Sequence, residues 1–170
     1  HTTARARSDL RPLESLTVPW DGGSENPRPF APIFHRLLEA QTRQGLIGFP
    51  DMVYLALRAL LEDPALRRRW QRQFGYVLVD EFQDLNEAQM RFAQILALPE
   101  NHLFVVGDDD QMIYGWRGAT VRHILDFPQK FPASGSVVLG ANYRSGRRIV
   151  QHAAWLIGHN PERVEKQIRA

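Results

Sequence analysis

The chain contains no cysteine, which removes disulfides and cysteine-bound zinc from consideration and is compatible with a reducing interior. Lysine is nearly absent: of the 21 basic residues only Lys130 and Lys166 are not arginine, so guanidinium groups carry the basic chemistry. No apolar run approaches the length of a membrane span, and the start lacks the apolar core of a signal peptide. A cytoplasmic protein with no membrane partner is therefore expected. Charge of one sign is also lacking. With a net charge of +2, any anionic partner has to be met by local patches. What is present is ordinary for a globular chain: 170 residues, 44% hydrophobic and 24% charged, enough for one core and part of a second. The first residue is His1 rather than methionine, from which a piece of something longer is expected.

Residues 1–29 mix arginine with Pro12, Pro19, Gly22, Gly23, Pro27 and Pro29 and show no sustained periodicity, so an irregular or poorly ordered segment is expected. Trp20 is either an anchor against a neighbour or a chance exposed aromatic. Residues 30–75 read as helical. The first helix runs from Phe30 to Gln44 with Gly45 as its stop. The second begins near Pro50 and carries Val53, Leu57, Leu60 and Leu61 on one face. Asp63-Pro64 starts the third, whose Arg67-Arg68-Arg69 run with Arg72 is a solvated face or a phosphate contact.

Tyr76 to Val79 has the β-branched and aromatic composition of a buried strand. Asn86 is placed to cap a helix with Ala88, Phe92, Ile95 and Leu96 on one face. Leu103 to Val106 is a second strand, Thr120 caps a short helix to Phe127, and Val137 to Leu139 is a third strand. Ser145 is expected to cap a last helix with Ile149, Ala153, Leu156 and Ile157 as its stripe. Alternating strands and helices, with a polar cluster after each strand, describe an α/β fold: a parallel sheet with flanking helices and its site along one edge.

Three clusters lie on that edge. Asp80 and Glu81 follow the first strand. Hard carboxylate oxygens suit Mg²⁺, so Asp80 reads as a metal-side ligand and Glu81 as a base for water attacking phosphorus; the alternative is that both merely open a surface loop. After the second strand, Gly107 allows a sharp turn and Gln111 offers an amide to a terminal phosphate oxygen or its attacking water. Tyr114, Trp116 and Arg117 then supply two ring faces and a planar cation, the equipment for stacking unpaired bases. Either aromatic alone would read as core. In the third cluster, Arg144 is an arginine finger or an exposed arginine at a helix start, and Tyr143 a stacking ring for a nucleobase.

Taken together, Asp80-Glu81-Phe82-Gln83-Asp84, the block from Gly107 to Ala119, and Asn142-Tyr143-Arg144-Ser145 resemble motifs II, III and IV of UvrD/Rep-type superfamily 1 DNA helicases, in order. The likeness covers roughly residues 30–170, and the opening segment gives it no support. It implies a partial RecA-like ATPase core over 76–142 and, over 143–170, the start of a second motor domain. It implies Asp80 for Mg²⁺, Glu81 as catalytic base, and Gln111 as a γ-phosphate sensor linking ATP to DNA. It implies Tyr114, Trp116 and Arg117 on the single strand, Tyr143 on adenine, and Arg144 on the γ-phosphate. ATP and Mg²⁺ are the implied cofactors. The implied partners are single-stranded DNA, duplex junctions and the remainder of a helicase chain.

Met112 stands where the family commonly has serine, and Gly140 where it commonly has glutamate. A larger departure is that no Gly-x-x-x-x-Gly-Lys-Ser/Thr occurs, so the phosphate cradle and its lysine are missing. Two expectations follow. The first is part of an ATP-driven helicase that translocates 3′→5′ and unwinds duplex DNA. The alternative is a catalytically inactive fragment that binds single-stranded nucleic acid or a protein partner.

Overall fold

A computed structural model describes residues 17–20 and 23–170. Where an irregular opening is expected, Thr17–Trp20 (β1) and Gly23–Pro29 (β2) pair as an antiparallel ladder, with Thr17 opposite Pro29 and Val18 opposite Arg28. The prolines and glycines that argue against periodicity are compatible with a short two-stranded ladder, where edge positions do not need every N–H. The rest of the opening stretch and the side chain of Trp20 lie outside the described residues.

Three helices follow. Phe30–Gln44 (α1) ends where Gly45 adopts a left-handed backbone, φ 64°, so that its N–H and that of Leu46 reach back to Thr42 and Gln41 carbonyls. Phe49–Glu62 (α2) begins on a reciprocal pair: the Gly48 N–H donates to Asp51 Oδ2 and the Asp51 N–H to the Gly48 carbonyl, both 2.9 Å. Gln41 also donates to that buried carboxylate at 3.0 Å, which ties α1 to α2. Asp63 caps Pro64–Gln73 (α3) by accepting from Ala65 and Leu66.

The sheet consists of Val77–Val79 (β3) and Leu103–Val105 (β4), parallel, with Val77, Leu78 and Val79 opposite Leu103, Phe104 and Val105. Between them Glu87–Ala97 (α4) starts on an Asn86–Gln89 capping box and covers one sheet face. Its stripe falls as the spacing predicts. Ala88 and Ile95 join Leu57 and Leu60 in the core, with Val53, Leu66, Phe92 and Leu96 packed around them. Each fully buried leucine there contributes about 1.5–3 kcal/mol. Phe30, Phe34, Leu38 and Tyr54 form a second cluster between α1 and α2.

Four expectations are corrected. Leu61 leaves its stripe and stays exposed. The strands are not buried: Val77, Val79, Leu103 and Val105 are half-buried on one face, and Leu78 and Phe104 are 73% and 63% exposed on the other. Val137 to Leu139 forms no strand: all three residues are exposed and make no ladder hydrogen bonds among the described residues. Gly146, not Ser145, stands at the N-cap of Arg147–Ile157 (α7), and Val150 is its buried residue while Ile149 and Leu156 are exposed. An apolar residue is buried only where a partner surface exists, and the described chain offers none to that stripe or to a third strand.

Arg122–Leu125 (α5) and Phe127–Lys130 (α6) break the predicted short helix at Asp126, with Thr120 Oγ1 accepting from the Arg122 N–H at 3.2 Å. His123 of α5 is 2% exposed beside Phe82, and neither ring nitrogen has a hydrogen-bond partner among the described residues. Burial, helped by the Lys130 charge, lowers its pKa from the ordinary 6.5, against weaker pulls from Glu87 and Asp126. Since the unfolded chain then takes up a proton more readily than the folded one, the contribution is present above 6.5 and lost as pH falls below it. Stability measured by urea denaturation is expected to drop between about pH 7 and 5, and His123→Leu to flatten that slope. An unchanged slope in the variant would assign the acid sensitivity to other groups.

Candidate functional site

The carboxyl ends of β3 and β4 deliver the first two clusters side by side. Val106 donates to the Val79 carbonyl at 2.8 Å and Phe82 to the Val106 carbonyl at 2.9 Å, so the two loops leave the sheet stitched together. Glu81 sits in the left-handed region, φ 49° and ψ 44°, an uncommon backbone for a residue with a side chain and a type of strain that collects at functional sites. Beyond it Phe82 and Gln83 turn inward and are fully buried.

Gln83 is the joint of the site. Its Nε2 donates to Glu81 Oε2 at 2.7 Å, while its Oε1 accepts from the Asp108 N–H at 3.0 Å. Asp108 in turn accepts from the Gln111 amide at 2.7 Å through Oδ2 and from the Asp110 N–H at 3.2 Å through Oδ1. One hydrogen-bonded path therefore runs Glu81–Gln83–Asp108–Gln111. Gly107 makes it possible by lacking a side chain: a Cβ there would lie 2.9 Å from Gln83 Oε1 and 3.2 Å from Phe82 Cβ. The sequence suggests a sharp turn as the reason for this glycine, whereas the structure shows close approach to be the reason.

Asp80 is exposed, and its Oδ1 accepts from the Glu81 N–H at 2.9 Å. Its other oxygen makes no hydrogen bond among the described residues, so a hard donor remains at the strand end, which fits an ion that takes one or two carboxylates. Asp108, Asp109 and Asp110 also bring carboxylate oxygens within 4.8 Å of one another. That position is already filled, because Lys166 Nζ lies 2.5 Å from Asp108 and from Asp109 and 3.0 Å from Asp110.

Arg163 clasps Asp110 with two hydrogen bonds of 2.9 and 2.7 Å. For Asp108, burial pushes the pKa up, but hydrogen bonds from Lys166 and Gln111 outweigh it and hold the carboxyl below its usual range. For Asp110, burial is likewise outweighed, by Arg163 and Lys166. Burial would lower Lys166, yet its three carboxylate partners raise it.

Tyr114, Trp116 and Arg117 converge as the sequence suggests. Arg117 lies 5.2 Å from the Tyr114 ring centroid and 4.5 Å from that of Trp116, the two rings being 6.3 Å apart. Gly118, at φ 88°, ends the turn that brings them together. Trp116 is 55% exposed, which is not a core position.

The third cluster, expected on the same edge after a third strand, follows no strand, and among the described residues none of its groups bonds to the first two clusters. Asn142 Oδ1 accepts from the Arg144 and Ser145 N–H groups at 3.1 and 2.8 Å and shapes the turn. Tyr143 is 97% exposed, and the Arg144 side chain makes no hydrogen bond or ion pair among the described residues. Sequence reasoning missed Gln83, Asp108, Arg163 and Lys166. The signal available for Gln83 was an amide directly after a buried aromatic; for Lys166 it was one of only two lysines.

Residues 2–132 match the family model described as the UvrD/REP helicase N-terminal domain. The chain belongs to this family. The UvrD/REP match takes in the opening segment, which the motif resemblance left without support. The chain is similar to the ATP-dependent DNA helicase PcrA of Leuconostoc citreum, 42% identical over 126 residues, covering 74% of this chain and 17% of that protein. It is 40% identical over 124 residues to the ATP-dependent DNA helicase Rep of Escherichia coli (strain K12), covering 73% and 18%. It is 35% identical over 148 residues to DNA helicase II of Haemophilus influenzae, covering 87% and 20%. The chain thus spans about a fifth or less of these curated relatives of the UvrD/REP family. Among the described residues no helix is long and apolar enough to cross a membrane.

Proposed function

We propose that these residues form the catalytic edge and part of the DNA-contacting surface of an ATP-dependent DNA helicase. The observation that carries this reading is the hydrogen-bonded path from Glu81 through Gln83 and Asp108 to Gln111. It joins a candidate base to a candidate phosphate-sensing amide, and Gln111 lies three residues before the Tyr114–Trp116–Arg117 platform. A change at the phosphate is thereby able to reach the strand-contacting rings through one short loop. Asp80 would hold Mg²⁺, which supplies charge neutralisation on the phosphates when bound. Glu81 accepts a proton from the attacking water, Gln111 orients the terminal phosphate, and Arg144 meets the charge that develops on it. Tyr143 stacks on the nucleobase. The names of the relatives support ATP and DNA as ligands; 3′→5′ movement on single strands and the docking of the second motor domain from residue 143 onward belong to the same proposal.

The absence of a Gly-x-x-x-x-Gly-Lys-Ser/Thr sequence favours a second reading for the 170 residues by themselves: binding of single-stranded DNA without turnover. An ATPase assay with and without single-stranded DNA separates the two. Robust DNA-stimulated turnover by this chain would overturn the second reading. In either case Trp116→Ala is expected to weaken single-strand binding by roughly 1–3 kcal/mol, the value of one base stacked on an aromatic ring. Fluorescence anisotropy with an oligothymidylate measures this, and equal affinities would remove Trp116 from the interface.

A further inference from the structure

The segment after α7 returns to the site. Besides the bonds from Lys166 and Arg163, the Val164 N–H donates to Asp109 Oδ2 at 2.7 Å, and Arg122 pairs with Glu162 at 2.6 Å. At Arg169 this segment, a strap over residues 162–169, pairs with the approach to the third cluster. Arg169 donates to the Gly140 carbonyl, and Asn142 donates to the Arg169 carbonyl, each at 2.7 Å. Gly140 permits this closeness, because a Cβ there would lie 2.9 Å from the Gln167 carbonyl oxygen. Residues 162–169 thus touch the Gln111 loop at one end and the Tyr143–Arg144 turn at the other.

Lys166 matters most in this arrangement. Its Nζ and the Gln111 amide share the Asp108 carboxylate, on Oδ1 and Oδ2 respectively. Three carboxylates this close repel one another without a cation between them, and the loop would open to separate them. We propose that Lys166 is a positioning residue for Gln111: by holding the three aspartates together it sets the orientation of the Gln111 amide and couples the strap, and with it the Arg144 turn, to the phosphate-sensing loop. This rests on the reading of Gln111 given above.

Lys166→Met keeps the stem and removes the charge. In the helicase chain carrying these residues, the DNA-stimulated kcat is expected to fall roughly 10–100-fold, the scale of displacing a catalytic group by about 1 Å. The KM for ATP is expected to stay within about two-fold, since Lys166 touches no nucleotide-binding group. Lys166→Arg restores most of the loss. Amide exchange over residues 108–112 rises in Lys166→Met while that of α4 is unchanged. Should Lys166→Met fail to fold, Asp109→Asn removes one Lys166 partner without altering Asp108 or Gln111, and a smaller fall in kcat at unchanged KM is expected.

Gln111→Ala is measured alongside. If it lowers stimulated turnover while Lys166→Met and Asp109→Asn do not, the positioning role is overturned and Gln111 keeps its own. If Gln111→Ala has no effect, the reading of Gln111 itself fails and this inference fails with it.

Discussion

On the proposed function, Glu81→Gln is expected to lower ATP turnover by about 10²–10⁴-fold, the usual contribution of a general base. The substitution is nearly isosteric. Glutamine can still accept from Gln83 Nε2, which sits 2.7 Å from the present carboxylate, so the path to Asp108 is expected to persist. What disappears is the proton acceptor. Binding of a non-hydrolysable ATP analogue is therefore expected to be retained while hydrolysis slows, and equilibrium titration beside steady-state kinetics distinguishes the two. The left-handed backbone at Glu81 adds a control. Glu81→Gly relaxes that strain and removes the side chain, so a stabilised but inactive protein is expected, in line with strain maintained for function. Unchanged turnover in Glu81→Gln would remove the residue from proton transfer.

Loss of Arg144 is expected to cost about 10³–10⁵ in turnover, the range of an arginine that neutralises charge on a transferred phosphoryl group. Its backbone is held by Asn142 Oδ1, while its guanidinium makes no hydrogen bond or ion pair among the described residues and so remains available to a ligand. Arg144→Lys is expected to recover only part of the activity, because an ammonium keeps the charge and loses the planar fork. Single-turnover measurements at saturating ATP and DNA test this. A change of only a few-fold in Arg144→Ala would return Arg144 to the role of an exposed arginine at a helix start.

Local rules read well from the chain. Gly45 stops α1, Asp63 caps α3 and Asn86 caps α4 because each acts on backbone groups within a few residues. The stripe of α4, and that of α2 apart from Leu61, found their core because both partner surfaces lie within the described chain. The stripe of α7 and the run Val137 to Leu139 follow the same composition rules and were misread, since hydrophobic spacing specifies that a face seeks cover but not that cover exists. The site divides in the same way. Residue type and order alone offered Asp80, Glu81, Gln111, Tyr114, Trp116, Arg117 and Arg144 as candidate groups. Gln83 and Lys166 were not, because their partners lie 25 and 58 residues away at Asp108.

The amino-acid sequence by itself determined the first four helices, the stop of α1, the caps of α3 and α4, and the strands β3 and β4, all of which depend on side chains and on neighbours within a turn or two. Tertiary structure alone decided that Glu81 and Gln111 share one hydrogen-bonded path and that Lys166 sits among three aspartates. Burial and pairing over long separations depend on where the chain returns in space, and no local periodicity encodes that return.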